Sequence, residues 1–152
     1  MPCLPERPNR DCERGHVTRL ADSDREKWNY DLHTRIKHDI LTQYLNPWTT
    51  ILEQGSSSLA YIDAFAGRGR YSDNTVGSPL LSISAMVDSM NTRDIRASRA
   101  EFYFVENNRA NHDNLQRELE AFAPAKDLRI RYQLFCAPFS AVHAQIIAEV
   151  RR

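Results

Sequence analysis

Residues 61–71 read YIDAFAGRGRY, an apolar run that closes on Asp63 and Phe65 and then breaks at Gly67 and Gly69, with Arg68 between them. Upstream, residues 56–65 read SSSLAYIDAF: polar lead-in residues, then a nearly continuous apolar run of strand length bounded by glycine. Such continuity predicts a strand covered on both faces. The glycines that follow predict a tight turn with exposed backbone amides, because glycine adopts positive φ and lets a ligand approach where a Cβ would repel it.

Downstream, GSPLLSISAMVDSM offers Ser78 as N-cap and Pro79 as first helical residue, with Leu80, Ile83, Met86 and Val87 on one face. EFYFVE then reads as a second strand, followed by a helix whose stripe is Leu115, Leu119 and Phe122. LRIRYQLFC reads as a third strand, followed by the helix FSAVHAQIIAEV. The alternation predicts an α/β fold with parallel strands joined by crossover helices. Upstream of the first strand, Ile36, Ile40, Leu41, Tyr44, Trp48, Ile51 and Leu52 recur at steps of three and four, which predicts a helix with that face buried. Pro47 is expected to kink or split it near Leu45, and Gly55 to stop it. Residues 1–24 mix prolines, arginines and acids without apolar periodicity and read as a flexible leader. The organisation expected is therefore a leader at 1–24, a helical segment at 25–55 and three β-α units at 56–152.

Twenty basic residues balance twenty acidic ones in the 152-residue chain, so no global field draws it to nucleic acid or a membrane. The start of the chain lacks the apolar stretch of a secretory signal, and the expected location is cytoplasmic. Three cysteines, Cys3, Cys12 and Cys136, form no CxxC pair and suit reduced thiols better than a disulfide framework. Cys3, Cys12 and His16 are too widely spaced for a metal site, and a fourth ligand is missing. His33, His38, His112 and His143 have no nucleophile or metal-like spacing around them and read as ordinary surface or helix residues.

In parallel α/β sheets, ligands bind beyond the carboxyl ends of the strands. AFAGRGRY occupies that place after the first strand, where Gly67 and Gly69 offer amides to an anionic group and Asp63 can orient an amino group. Glu106 ends the second strand, from which a carboxylate can accept both hydroxyls of a ribose; the alternative is an acid at the N-terminus of the next helix. The nicotinamide fingerprint requires GxGxxG running straight into a helix and an acid about 20 residues on. Here RYSDNTV intervenes and Glu106 lies well beyond that spacing. S-adenosylmethionine fits better, its amino-acid end, ribose and adenine matching the aspartate, the glutamate and the end of the third strand. Arg68 and Arg70, with Tyr71 for stacking, offer a small nucleic-acid patch as a competing reading.

The set TRIKHDILTQYL, YIDAFAGRGRY, GSPLL and FYFVENN resembles the three-Cys-motif partner (TcmP) family over about residues 30 to 140. The resemblance implies a methyltransferase-like Rossmann domain that binds S-adenosylmethionine, with Asp63, Phe65, Ala66, Gly67 and Gly69 at the amino-acid end and Glu106 at the ribose. Lys37 matches a family lysine. The cysteines of the family name belong to a partner, a radical-S-adenosylmethionine-like protein, so the resemblance implies such a partner and not a motif in this chain. Where related domains place an Asp for the adenine, this chain has Cys136, Ala137 and Pro138.

Methyltransferase-like domains continue into a fourth strand with an Asp-Pro-containing motif near the methyl acceptor, and this sequence reaches only Arg152. The expectation is thus an incomplete, truncated sheet with the catalytic residues unknown and the acceptor open, nucleic acid being one class considered. A non-catalytic module that docks a partner protein is the alternative. Right-handed crossovers predict the strand order 3-2-1, with the first strand at an edge open to self-association.

Overall fold

The computed structural model of the protein describes residues 31–52, 58–92 and 99–151. The leader expected at 1–24, the rejected metal grouping at Cys3, Cys12 and His16, and the stop at Gly55 lie outside the described residues. The elements are α1 (Leu32–Leu52), β1 (Ser58–Asp63), α2 (Ser78–Thr92), β2 (Arg99–Val105), α3 (Arg109–Ala121), a 3-10 turn (Ala123–Lys126), β3 (Ile130–Phe135) and α4 (Phe139–Val150). None of the described helices is long and apolar enough to cross a membrane.

The three strands form one open parallel sheet in the order β1-β2-β3, in register Leu59 with Ala100 and Asp63 with Phe104, then Ala100 with Ile130 and Val105 with Phe135. The expected order 3-2-1 holds. β2 is the central strand, and Phe102, Tyr103, Phe104 and Val105 are buried in succession, the continuous burial that a parallel strand with both faces covered requires. On one face Leu59, Phe102, Phe104 and Ile130 pack against Leu80, Ile83 and Met86 of α2 and Leu115 and Leu119 of α3. On the other, Tyr103 and Val105 meet Ile146 of α4, with Ala60, Phe135 and Val142 alongside. The helix after β3 has therefore changed sides.

A charged clamp beside the start of β3 adds to the apolar packing against α2. Arg129 donates from Nε to Asp127 Oδ1 at 3.0 Å and from Nη2 to Asp127 Oδ2 at 2.6 Å, while Nη2 also reaches Asn91 Oδ1 at 2.7 Å. Hydrogen bonds from the Arg129 side chain and amide hold the Asp127 carboxyl down at about 2.

α1 departs from expectation in two ways. It is not split at Pro47 but continues through it as one helix, because a proline lacks only one donor. Its buried face is also different: His38, Leu45 and Thr49 point inward, with Trp48 packed against the core, whereas Ile36, Ile40, Tyr44, Ile51 and Leu52 are exposed. The inward stripe is partly polar. Thr49 Oγ1 lies 3.3 Å from Ser89 Oγ of α2, and the His38 ring meets Tyr71 with centroids 5.6 Å apart. Hydropathy alone favoured the wrong face. A second correction concerns Cys136, after β3, which is disulfide-bonded and not a free thiol; Cys3 and Cys12 lie outside the described residues.

Candidate functional site: a glycine loop tied to the sheet ends

The segment from Ala64 to Gly77 is held at nearly every turn. Asp63 closes β1, and its carboxylate accepts the Phe65 amide at 3.1 Å and the Ser78 hydroxyl at 2.6 Å, so the strand end is fastened to the start of α2. The Ser78 side chain thus serves Asp63 instead of capping its own helix. Ala66 then continues the sheet by donating to the Val105 carbonyl at 3.0 Å.

Gly67 and Gly69 adopt positive φ of 69° and 89°, the left-handed conformations that favour glycine. The Gly67 amide donates to Glu106 Oε2 at 2.9 Å, and the Asn108 amide donates to Glu106 Oε1 at 2.7 Å. Glu106 stands two residues before the N-cap Asn108 of α3 and also reaches across to the glycine loop. Asn114 of α3 donates to the Arg68 carbonyl at 2.8 Å. Gly69 faces α3, since a Cβ built on it meets Leu115 Cδ1 at 3.0 Å and Glu118 Cβ at 3.2 Å.

The loop then folds back on itself. Gly77 donates to the Gly69 carbonyl at 2.7 Å, Tyr71 donates to that of Thr75 at 2.9 Å, and Asn74 takes a φ of 67° between them. Arg70 is committed to Glu118 at 2.8 Å and to the Asn74 carbonyl at 3.0 Å. That engagement ties up Arg70, one of the residues of the nucleic-acid reading.

These restraints hold open a two-lobed cleft at the carboxyl ends of all three strands. The first lobe, about 330 Å³, is lined by the chain from Phe65 to Tyr71, with Ser78, Glu106 and Asn111 opposite. A second lobe of about 430 Å³ lies between Ala64, Phe65, Val105, Ala137, Pro138 and Phe139, with Glu106, Asn107 and Ser140 as its polar members. Phe65 and Glu106 belong to both. Helices α2, α3 and α4 all begin at this cleft, so the positive ends of three helix dipoles converge on it. The first lobe is equipped for polar and anionic groups. The second is walled mainly by apolar side chains.

The sequence-derived site residues fall into three groups. Phe65, Ala66, Gly67, Gly69 and Glu106 line the cleft. Asp63 sits directly beneath it, its carboxylate already engaged by Phe65 and Ser78. Lys37 is exposed on α1 and lines neither lobe. Sequence reasoning missed Asn111, which lines the first lobe, and Asn114, which holds the Arg68 carbonyl; their spacing in NRANHDN puts both on one face of α3. Burial lowers the His38 pKa, against the opposing fields of Asp39 and Asp63. Comparison with protein families, curated proteins and solved structures finds no match for this chain.

Proposed function

We propose that this protein binds S-adenosylmethionine in the two-lobed cleft, in the manner of a methyltransferase-like Rossmann domain of the three-Cys-motif partner type. The observation that carries the reading is the position of Glu106, at the end of the central strand and shared by both lobes. Each of its carboxylate oxygens accepts one backbone amide and keeps lone-pair capacity for a hydroxyl, so a ribose at the junction of the lobes meets two oriented acceptors. The adenine then lies in the apolar lobe between Phe65 and the Ala137–Pro138 backbone turn. The amino-acid end extends over the glycine loop, where Asp63, Ser78 and the helix ends fix its surroundings.

S-adenosylmethionine supplies an electrophilic methyl group when bound; the chain's own residues bind and orient it. A methyl acceptor, nucleic acid among the classes, and a radical-S-adenosylmethionine-like partner belong to the same proposal by resemblance alone. The direct test is an amide chemical-shift map during titration with S-adenosylmethionine. Shifts concentrated at Phe65, Gly67, Glu106 and Asn107 are expected, and a map that leaves these four unmoved would remove the assignment.

A further inference from the structure

The outward face of α1 carries Leu32, Ile36, Ile40 and Tyr44 at steps of four, exposed by 68%, 47%, 62% and 61%. The same helix already supplies a core face through His38, Leu45 and Thr49, so this row is a second, outward seam. Scattered exposed apolar side chains need no explanation, but a continuous row of this kind marks a contact surface. By comparison, β1 shows little: Leu59 is buried, Ala60 and Tyr61 are half-buried, and Ile62 is 40% exposed.

Residues four apart form the ridge that, in the commonest class of helix packing, interdigitates with an equivalent ridge at a crossing angle of about −50°. A ridge is matched by its own copy when the two run antiparallel about a two-fold axis. We propose that α1 is a self-association surface that takes α1 of a second copy of this chain. The side chains interdigitate when the axis passes level with Lys37, so that Ile36 of one chain inserts between Ile36 and Ile40 of the other.

The charges on the helix support this register. At about 100° per residue, Arg35 and Asp39 fall on one flank of the ridge and Lys37 on the other, and like flanks abut in an antiparallel pair. Arg35 then stands level with Asp39 of the second copy, and Asp39 with its Arg35. All four are on exposed positions at the rim. Lys37 meets its own copy on the opposite flank, where a long side chain keeps its ammonium in water.

Sedimentation equilibrium over a range of concentrations, with circular dichroism to confirm folding, tests the proposal. The wild-type chain should dimerise, and Ile40→Asp, at an already exposed position, should weaken dimerisation by at least about tenfold, the scale of losing one well-packed apolar contact. Arg35→Asp should weaken it less, and Arg35→Asp combined with Asp39→Arg should restore it. A wild-type chain that stays monomeric would overturn the proposal. So would association that survives Ile40→Asp, or that is abolished instead by Ile62→Lys, which would assign it to the edge of β1.

Discussion

The Glu106 carboxylate accepts the Gly67 amide at 2.9 Å, joining the end of the central strand to a loop 39 residues earlier in the chain. This bond ties the glycine loop to the end of the second strand, where the two lobes of the cleft meet. Replacing Glu106 by Gln keeps an acceptor oxygen but loses the charge. Thermal melts should therefore show Glu106→Gln less destabilised than Glu106→Ala, the latter by about 1–3 kcal/mol for losing hydrogen bonds to a charged acceptor. Equal melting temperatures for the two variants and the wild type would show that the bond holds nothing in place.

Gly69 should be intolerant of any side chain, for a reason internal to the protein. Its φ of 89° is strained for other residues, and an added Cβ meets Leu115 and Glu118 of α3 within 3.2 Å. Gly69→Val is expected to cost about 2–3 kcal/mol, combining a disfavoured backbone with overpacking. A chemical-denaturation midpoint unchanged from wild type would contradict the placement of the loop on α3.

Much of the fold was legible because β1 and β2 carry apolar runs of strand length, and Leu80, Ile83, Leu115 and Leu119 repeat at helical spacing. Gly67, Gly69 and Glu106 were legible as a site because each ends or follows a strand at the same edge of the sheet. What was not legible depended on tertiary partners. The buried face of α1 was missed because His38 and Thr49 are polar, and only their contacts with Tyr71 and Ser89 make that face an interior one. Asp63 was read as able to orient an amino group, and its carboxylate also accepts the Phe65 amide and the Ser78 hydroxyl; no local pattern shows that a serine 15 residues on will come back to it.

His38 gives the stability a dependence on mildly acid pH. Burial lowers its pKa in the folded state, so as pH falls below about 6.5 the unfolded chain takes up a proton there that the folded chain resists. The contribution of neutral His38 is fully present above that pH and is lost as the solution is acidified. His38→Gln should flatten the decline in melting temperature between about pH 7 and pH 5. An identical slope in the variant would place the effect elsewhere.

Pro47 lies inside α1 without a backbone donor for the turn before it, at an exposed position. Pro47→Ala should restore that hydrogen bond and raise stability by about 1–2 kcal/mol, the helix penalty of proline less the entropy it removes from the unfolded chain. A lower melting temperature would mean that the helix bends at Pro47 to make its contact with α2.

Isothermal titration calorimetry with S-adenosylmethionine tests the binding proposal most directly, using the wild-type chain and Glu106→Ala in parallel. Saturable one-to-one binding by the wild type is expected, weakened by about 1–3 kcal/mol in Glu106→Ala, with the variant shown to be folded by its melt. The absence of binding by the folded wild-type protein, or equal affinity in the two, would contradict the assignment of this cleft to S-adenosylmethionine.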